Sequence, residues 1–454
     1  MAHDPRIRSR DRSEIVRGRG LRGVLAGLLA LMGGSAHGSD IEQAPIHYSE
    51  TTPRNAISRL QGELAEGKTT LEYERDHGYL RSLLGHLQVP ESSQVLVFSK
   101  TSLQRDRISP KTPRAVYFND EVMVGFTLRG QLLEISAADE AVGTAYYTLE
   151  QERVARPSPE RQTESCLVCH GTSATYDYPG HLVRSLYPDR RGNPLLSNGS
   201  FRTDHSSPLE ERWGGWYVTG TSGTQKHLGN MTCEEGQKPE DIDNAEGVNL
   251  VDLKDKFTTS MYLSPHSDIV ALMVLEHQVG MLNRIARASI ETRMALHYQH
   301  EINKALDRPV DERSESAWSR IRGVGNGVVR SLLFSEEVRL TDRVEGTSRF
   351  ASDFAGLGPR DHLGRSLRDF DLRTRMFRYP CSYLIYSRAF DSLPAEVKEY
   401  IYAELWDVLG GRKTGKEFAH LGEEDRRAIL DILRDTKPNL PDYWKGPSDV
   451  PSPR

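Results

Sequence analysis

Five consecutive residues, Cys166-Leu167-Val168-Cys169-His170, constrain this chain more than any other stretch. Two thiols three positions apart can each bond one vinyl group of a single porphyrin, and the imidazole that follows is then held against the iron as its proximal ligand. The spacing therefore predicts one covalent haem c on Cys166 and Cys169, with His170 on the iron. A bare C-x-x-C also occurs as a zinc half-site or a disulfide. Structural zinc would want a second pair, and the remaining cysteines, Cys233 and Cys381, stand far apart. In an oxidising compartment Cys233 and Cys381 are an even pair that a disulfide can join, although nothing in their spacing argues for one.

The N-terminus agrees with that chemistry. Seven arginines lie between Arg6 and Arg22, an apolar run extends from Gly23 to Met32, and small residues follow to Gly38. This is a basic n-region, a short h-region and an Ala36-x-Gly38 cleavage site, so residues 1–38 read as a signal peptide. The run is shorter than the ~20 residues that span a bilayer, with an uncleaved anchor as the alternative. No adjacent arginine pair precedes it, which fits the general secretory route. Covalent haem attachment takes place outside the bacterial cytoplasm, so motif and signal both point to a periplasmic or otherwise exported protein. No later segment reads as apolar enough to span a membrane.

The 454 residues carry a net charge of −5. The first 38 hold +4, which leaves −9 on the remainder. Such a surface argues against nucleic acid and favours a neutral or basic partner protein. The length bounds the mature chain at two or three domains.

Along the chain, residues 39–54 read as extended and 55–87 as helical, with a break near Gly67. Segments 94–98, 115–118, 121–126, 131–135 and 143–149 are short, rich in β-branched and aromatic residues, and separated by Asn119-Asp120 and Arg129-Gly130; they read as consecutive strands and hairpins. Residues 215–220 add another strand. From Ser264 the apolar spacing turns to a 3.6 period toward Leu306, and residues 313–334, 394–409 and 423–435 read as further helices. The expectation is an α+β protein: a signal peptide (1–38), an N-terminal helical segment (39–92), a β-rich haem c-binding domain with antiparallel strands (93–260) and a mostly helical C-terminal region (261–454).

The sixth iron ligand is open. His181, His205, His227, Met231, His266, His277 and Met281 are candidates. His227 ranks first, in a Gly-rich loop after a strand. Met231 ranks second, at a separation from His170 like that in small cytochromes c, and His205 third, close to Arg202. Met273, His277 and Met281 share a helix face and read as core. Arg202 is the one arginine assigned to a haem propionate; Arg184, Arg190, Arg191 and Arg212 read as solvated. Trp213 and Trp216 read as aromatic core, and the neighbours Glu276-His277 and Asp361-His362 as structural.

At Cys166–His170 the chain resembles the c-type cytochromes, and those residues alone carry that likeness. Strands leading into Cys-Leu-Val-Cys-His-Gly, followed by a Gly-rich segment that returns to a strand, resemble periplasmic PAS-like haem c domains, which implies sensing or a redox role. The stretches 179–185, 208–216 and 378–387 are similar to large exported cytochrome-like proteins of bacteria, a likeness that implies haem and export only. Small carriers are almost wholly helical, whereas this attachment site is flanked by strands. Electron transfer to a redox partner is the leading reading, and a haem-based sensor or binding module is the alternative. A haem enzyme is third, because a second C-x-x-C-H, an H-E-x-x-H and a phosphate loop are all missing from the sequence.

Overall fold

Strict alternation along Leu132–Asp139 sets the architecture: Leu133, Ile135, Ala137 and Asp139 are buried while Leu132, Glu134, Ser136 and Ala138 are only partly so. A strand with two such unlike sides divides its surroundings into an apolar layer and a mixed one. The computed structural model describes residues 41–446, so the expected signal peptide lies outside the described residues. Seven antiparallel strands form the main sheet: β1 (Val95–Val97), β2 (Arg114–Phe118), β3 (Val122–Thr127), β4 (Leu132–Asp139), β5 (Gly143–Glu150), β6 (Glu160–Gln162) and, after a short β7 (Arg184–Leu186) and β8 (Ser200–Arg202) hairpin, β9 (Trp216–Tyr217). The spatial order is β6-β5-β4-β3-β2-β1-β9, so β2 to β5 form a meander. The expected strands are all present; β6, β7 and β8 carry too few apolar residues to be read beforehand.

The first face of the sheet is apolar. Leu133, Ile135, Ala137, Tyr147 and Leu149 pack against Ile57 and Leu60 of α1 (Ala56–Ala65) and Leu80, Leu83 and Leu84 of α2 (Leu80–His86). Asn55 fixes that docking. Its Oδ1 caps α1 by accepting from Ile57 N–H and Ser58 N–H, while its Nδ2 donates to Asp139 and to the Tyr147 hydroxyl. The expected break near Gly67 is wider than one turn, from 66 to 79, and residues 41–54 run as turns rather than as an extended segment.

The other face meets the C-terminal half. Helices occupy Ile269–Ala305, Glu315–Leu332, Ala395–Leu409 and Glu423–Thr436, within a few residues of expectation. The Ile269–Ala305 helix is buried all round for most of its first six turns, as a helix apolar on every side must be. By length and composition alone it is apolar enough to cross a membrane, which corrects the reading that no later segment is; 89% of its most apolar window is buried inside the protein, as in a core helix. Its apolar residues share one core cluster with Val95, Val97, Val116, Phe118 and Met123 of the sheet. The boundary drawn at 260/261 therefore crosses a continuous core, and residues 41–446 belong to one compact unit. The protein is α+β, with an antiparallel sheet in its N-terminal half and helices in its C-terminal half.

Candidate haem site

The C-x-x-C-H residues form one helical turn, Leu167–His170, with Cys166 as its N-cap. His170 N–H donates to the Cys166 carbonyl at 3.0 Å and Gly171 N–H to the Leu167 carbonyl at 2.9 Å. One turn places residues three apart on the same side, so both thiols face alike. The turn stands at the surface: Val168, between the two cysteines, is 76% exposed, and Cys169 is exposed. All four cysteines are free thiols. Burial pushes the Cys166 thiol up.

A closed loop holds His170. The His170 carbonyl accepts from Gly180 N–H at 3.0 Å and from the Thr175 hydroxyl at 3.0 Å. In return the Gly180 carbonyl lies 2.9 Å from His170 Nδ1. A carbonyl only accepts, so Nδ1 carries the proton and Nε2 keeps its lone pair, the tautomer a metal binds. Among the described residues Nε2 has no hydrogen-bond partner. The same Gly180 oxygen accepts from the Tyr146 hydroxyl at 2.7 Å, and the Tyr146 ring lies 5.1 Å from the His170 ring. Burial holds the His170 imidazole below its ordinary value, and nearby Arg114 acts in the same direction.

The floor is the second face of the sheet. Register places Gly125, Glu134, Thr148 and Glu160 in one row, and Met123, Ser136, Tyr146 and Gln162 in the next. Arg114 reaches across to Glu134 at 2.9 Å. Gly125 leaves room for that reach, since a Cβ there would stand 2.3 Å from the guanidinium. Ser136 Oγ lies 3.0 Å from Nδ1 of His181, a residue only 1% exposed whose Nε2 is buried and has no partner. Burial, and secondarily His170, push the His181 imidazole down to about 3. Two thiols and a bare imidazole nitrogen on one turn, beside a second buried bare imidazole nitrogen, are a donor set that suits a c-type haem.

Arg202 stands beside this loop. Its guanidinium covers the Tyr176 ring at 4.7 Å, with Arg287 at 5.3 Å and Arg284 at 5.7 Å from the same ring, and Arg202 Nη1 donates to the Ala174 carbonyl at 3.4 Å. Arg284 and Arg287 have carboxylate partners in Asp204 and Glu291; Arg202 has none among the described residues.

The three leading distal candidates lie elsewhere, each engaged by its own surroundings. His205 sits against His277, Nδ1 to Nδ1 at 3.2 Å, with His277 Nε2 2.7 Å from Ser382 Oγ and Phe334 stacked at 4.3 Å on the His277 ring. His227 is buried against Trp213, and its Nδ1 accepts from Gly229 N–H. Met231 packs with Tyr187 and Cys233. Cys381 belongs to a different cluster, in the helical core. Arg212, expected on the surface, is buried and pairs with Glu276 at 3.4 Å. Asp361, His362 and Asp435 bring ligand atoms within 4.8 Å of one another, but Asp361 is tied to Arg365 and His362 to Asp435.

Sequence reasoning passed over Tyr146, Ser136, Gly180 and Asn283, and ranked His181 below its rivals. Gly180 carried the nearest thing to a signal, as the glycine of Pro179-Gly180-His181. A Cβ there would stand 2.6 Å from Asn283 Oδ1 and 2.9 Å from Thr175 Cβ, so only glycine lets the loop close against the long helix. No protein-family model, no curated protein and no solved structure matches this chain.

Proposed function

We propose that this chain is an exported protein that carries one covalent haem c on Cys166 and Cys169 and transfers electrons to or from a redox partner protein. One observation carries the reading. On a surface turn holding both thiols, His170 Nδ1 is committed to the Gly180 carbonyl and Nε2 is left bare. That commitment orients the ring as outer hydrogen bonds orient metal-bound imidazoles. When bound, the haem supplies one-electron chemistry at the iron. The chain's part is to hold it, to set how far it is buried, and to choose the second ligand. Export with cleavage of residues 1–38 belongs to the same proposal, because attachment requires an extracytoplasmic compartment; a mature chain without a membrane span belongs to it too, because the most apolar window of the Ile269–Ala305 helix is 89% buried inside the protein. The test is the protein purified from a haem-c-maturing host. A haem-stained band that survives denaturation, and is lost in Cys166→Ser/Cys169→Ser, is the expected result. A wild-type chain without haem would end the proposal.

A sensor reading has one observation in its favour. The segment bearing His181, which follows the Gly180 carbonyl that holds His170, is hydrogen-bonded on both sides to Asn283 of the long helix, so a ligand that moved this loop would bear directly on that helix. Hydrogen exchange over Ile269–Ala305 with and without carbon monoxide distinguishes the two: an unchanged pattern excludes the sensor.

A further inference from the structure

Three imidazoles among the described residues have a buried ring nitrogen with no partner: His77 Nε2, His181 Nε2 and His266 Nδ1. Buried polar atoms are nearly always paired, so each invites an account. His77 packs against Phe126, part of the apolar face. His266 is tied by its carbonyl to Gln94, just before β1, three strands from β4 in the sheet order. Only His181 lies at the C-x-x-C-H loop. The peptide just before it, through the Gly180 carbonyl, is the one that holds the His170 ring.

His181 is also the best anchored of the three. Its N–H donates to Asn283 Oδ1 at 2.8 Å and its carbonyl accepts from Asn283 Nδ2 at 2.8 Å, so one buried side chain fixes the backbone on both sides. Its Nδ1 is set on Ser136 Oγ at 3.0 Å. A hydroxyl that accepts there puts the proton on Nδ1 and leaves the lone pair on Nε2. The other histidines and the methionine ranked for this role sit in other surroundings. His205 and His277 hold each other and Ser382, His227 holds the Gly229 N–H, and Met231 sits with Tyr187 and Cys233.

We propose that His181, through Nε2, is the second axial ligand of the iron attached at Cys166 and Cys169, with His170 as the first. The proposal rests on the haem c reading above. A two-imidazole iron is six-coordinate and low-spin and has no open position for small ligands, which suits electron transfer.

The experiment uses the full chain from a haem-c-maturing host, as wild type, His181→Ala and Ser136→Ala, read by low-temperature electron paramagnetic resonance and by optical spectra with and without carbon monoxide. Wild type is expected to give a low-spin signal of two imidazoles, no near-infrared sulfur-to-iron band, and a reduced spectrum indifferent to carbon monoxide. His181→Ala is expected to keep covalent haem but to lose the low-spin signal at least tenfold and bind carbon monoxide, with added imidazole restoring the low-spin form. Covalent haem with high-spin iron or a methionine band in the wild type, or an unchanged low-spin signal in His181→Ala, overturns the proposal and leaves the haem reading standing. If His181→Ala does not accumulate, Ser136→Ala decides: a shifted low-spin signal supports His181, and an identical one overturns it. A wild type without covalent haem overturns both.

Discussion

The two faces of the seven-stranded sheet are built from the same strands and do different work. On one face Leu133, Ile135, Tyr147 and Leu149 bury themselves against α1 and α2, with Asn55 pinning α1 to Asp139 and Tyr147. On the other, Val95, Val97, Val116, Phe118 and Met123 of β1 to β3 join the helical core, whereas at β4 to β6 Glu134, Ser136, Tyr146 and Thr148 form a polar patch of named hydrogen bonds or ion pairs: Arg114 to Glu134, Ser136 to His181, Tyr146 to Gly180, Gln162 to Thr148. The apolar face gains stability in proportion to the area it removes from water and tolerates adjustment. The polar patch depends on geometry, because each buried donor or acceptor there needs its own partner. Alternation thus lets one sheet carry a stabilising surface and a chemical one back to back.

The contrast breaks most sharply at the thiols. Cys166→Ser/Cys169→Ser is expected to abolish covalent haem entirely, read by haem staining after denaturation, with thermal stability owed to the apolar face retained. Leu133→Ala is expected to do the reverse. A fully buried leucine cut to alanine costs about 2–5 kcal/mol, seen as a lower denaturant midpoint, while the haem spectrum of the folded fraction is unchanged.

Acid sharpens the difference. In the haem-free Cys166→Ser/Cys169→Ser protein, His181 is pushed down to about 3 from its ordinary 6.5. The unfolded chain therefore takes up a proton at pH values where the folded chain does not. The stability due to the neutral ring is intact above 6.5 and falls as pH drops from there toward 3, by up to about 1.4 kcal/mol per pH unit. His205 and His227, each pushed down to about 4 by burial, add to the slope. Denaturant melts at pH 7, 5.5 and 4.5 check it: His181→Gln lessens the slope, and Leu133→Ala leaves it alone. Tyr146→Phe removes one of two donors on the Gly180 carbonyl and is expected to cost about 1 kcal/mol, read by the same melts, together with a shifted reduction potential. The smallest effect belongs to Arg202→Gln. Its exposed cation leaves stability within about 0.5 kcal/mol, and if it holds a propionate the potential moves and becomes more dependent on pH.

Much of this was legible in the chain. β-branched and aromatic runs between turn formers revealed the four long strands, and a 3.6 period revealed the long helix, because that pattern follows from which side faces the core. The short strands at Glu160–Gln162, Arg184–Leu186 and Ser200–Arg202 were not, since their partners rather than their composition make them strands. The Ile269–Ala305 helix was placed correctly, yet its apolar content passes for a membrane span until its burial in the core is known. The ranking of distal ligands rests on loop position for His227, on distance along the chain for Met231 and on nearness to Arg202 for His205, and none of these says which partners a ring nitrogen finds in the fold.

The sequence alone placed two thiols and an imidazole within five residues, a local spacing that holds whatever the fold and on which the haem c proposal rests. The tertiary structure alone decided which other imidazole in that loop keeps a buried nitrogen without a partner. His181 depends on Ser136, 45 residues before it, and on Asn283, 102 residues after it. Whether a buried nitrogen is spent or bare is a property of everything packed around it, and that is settled only when the sheet, the Gly180 loop and the long helix close on one another.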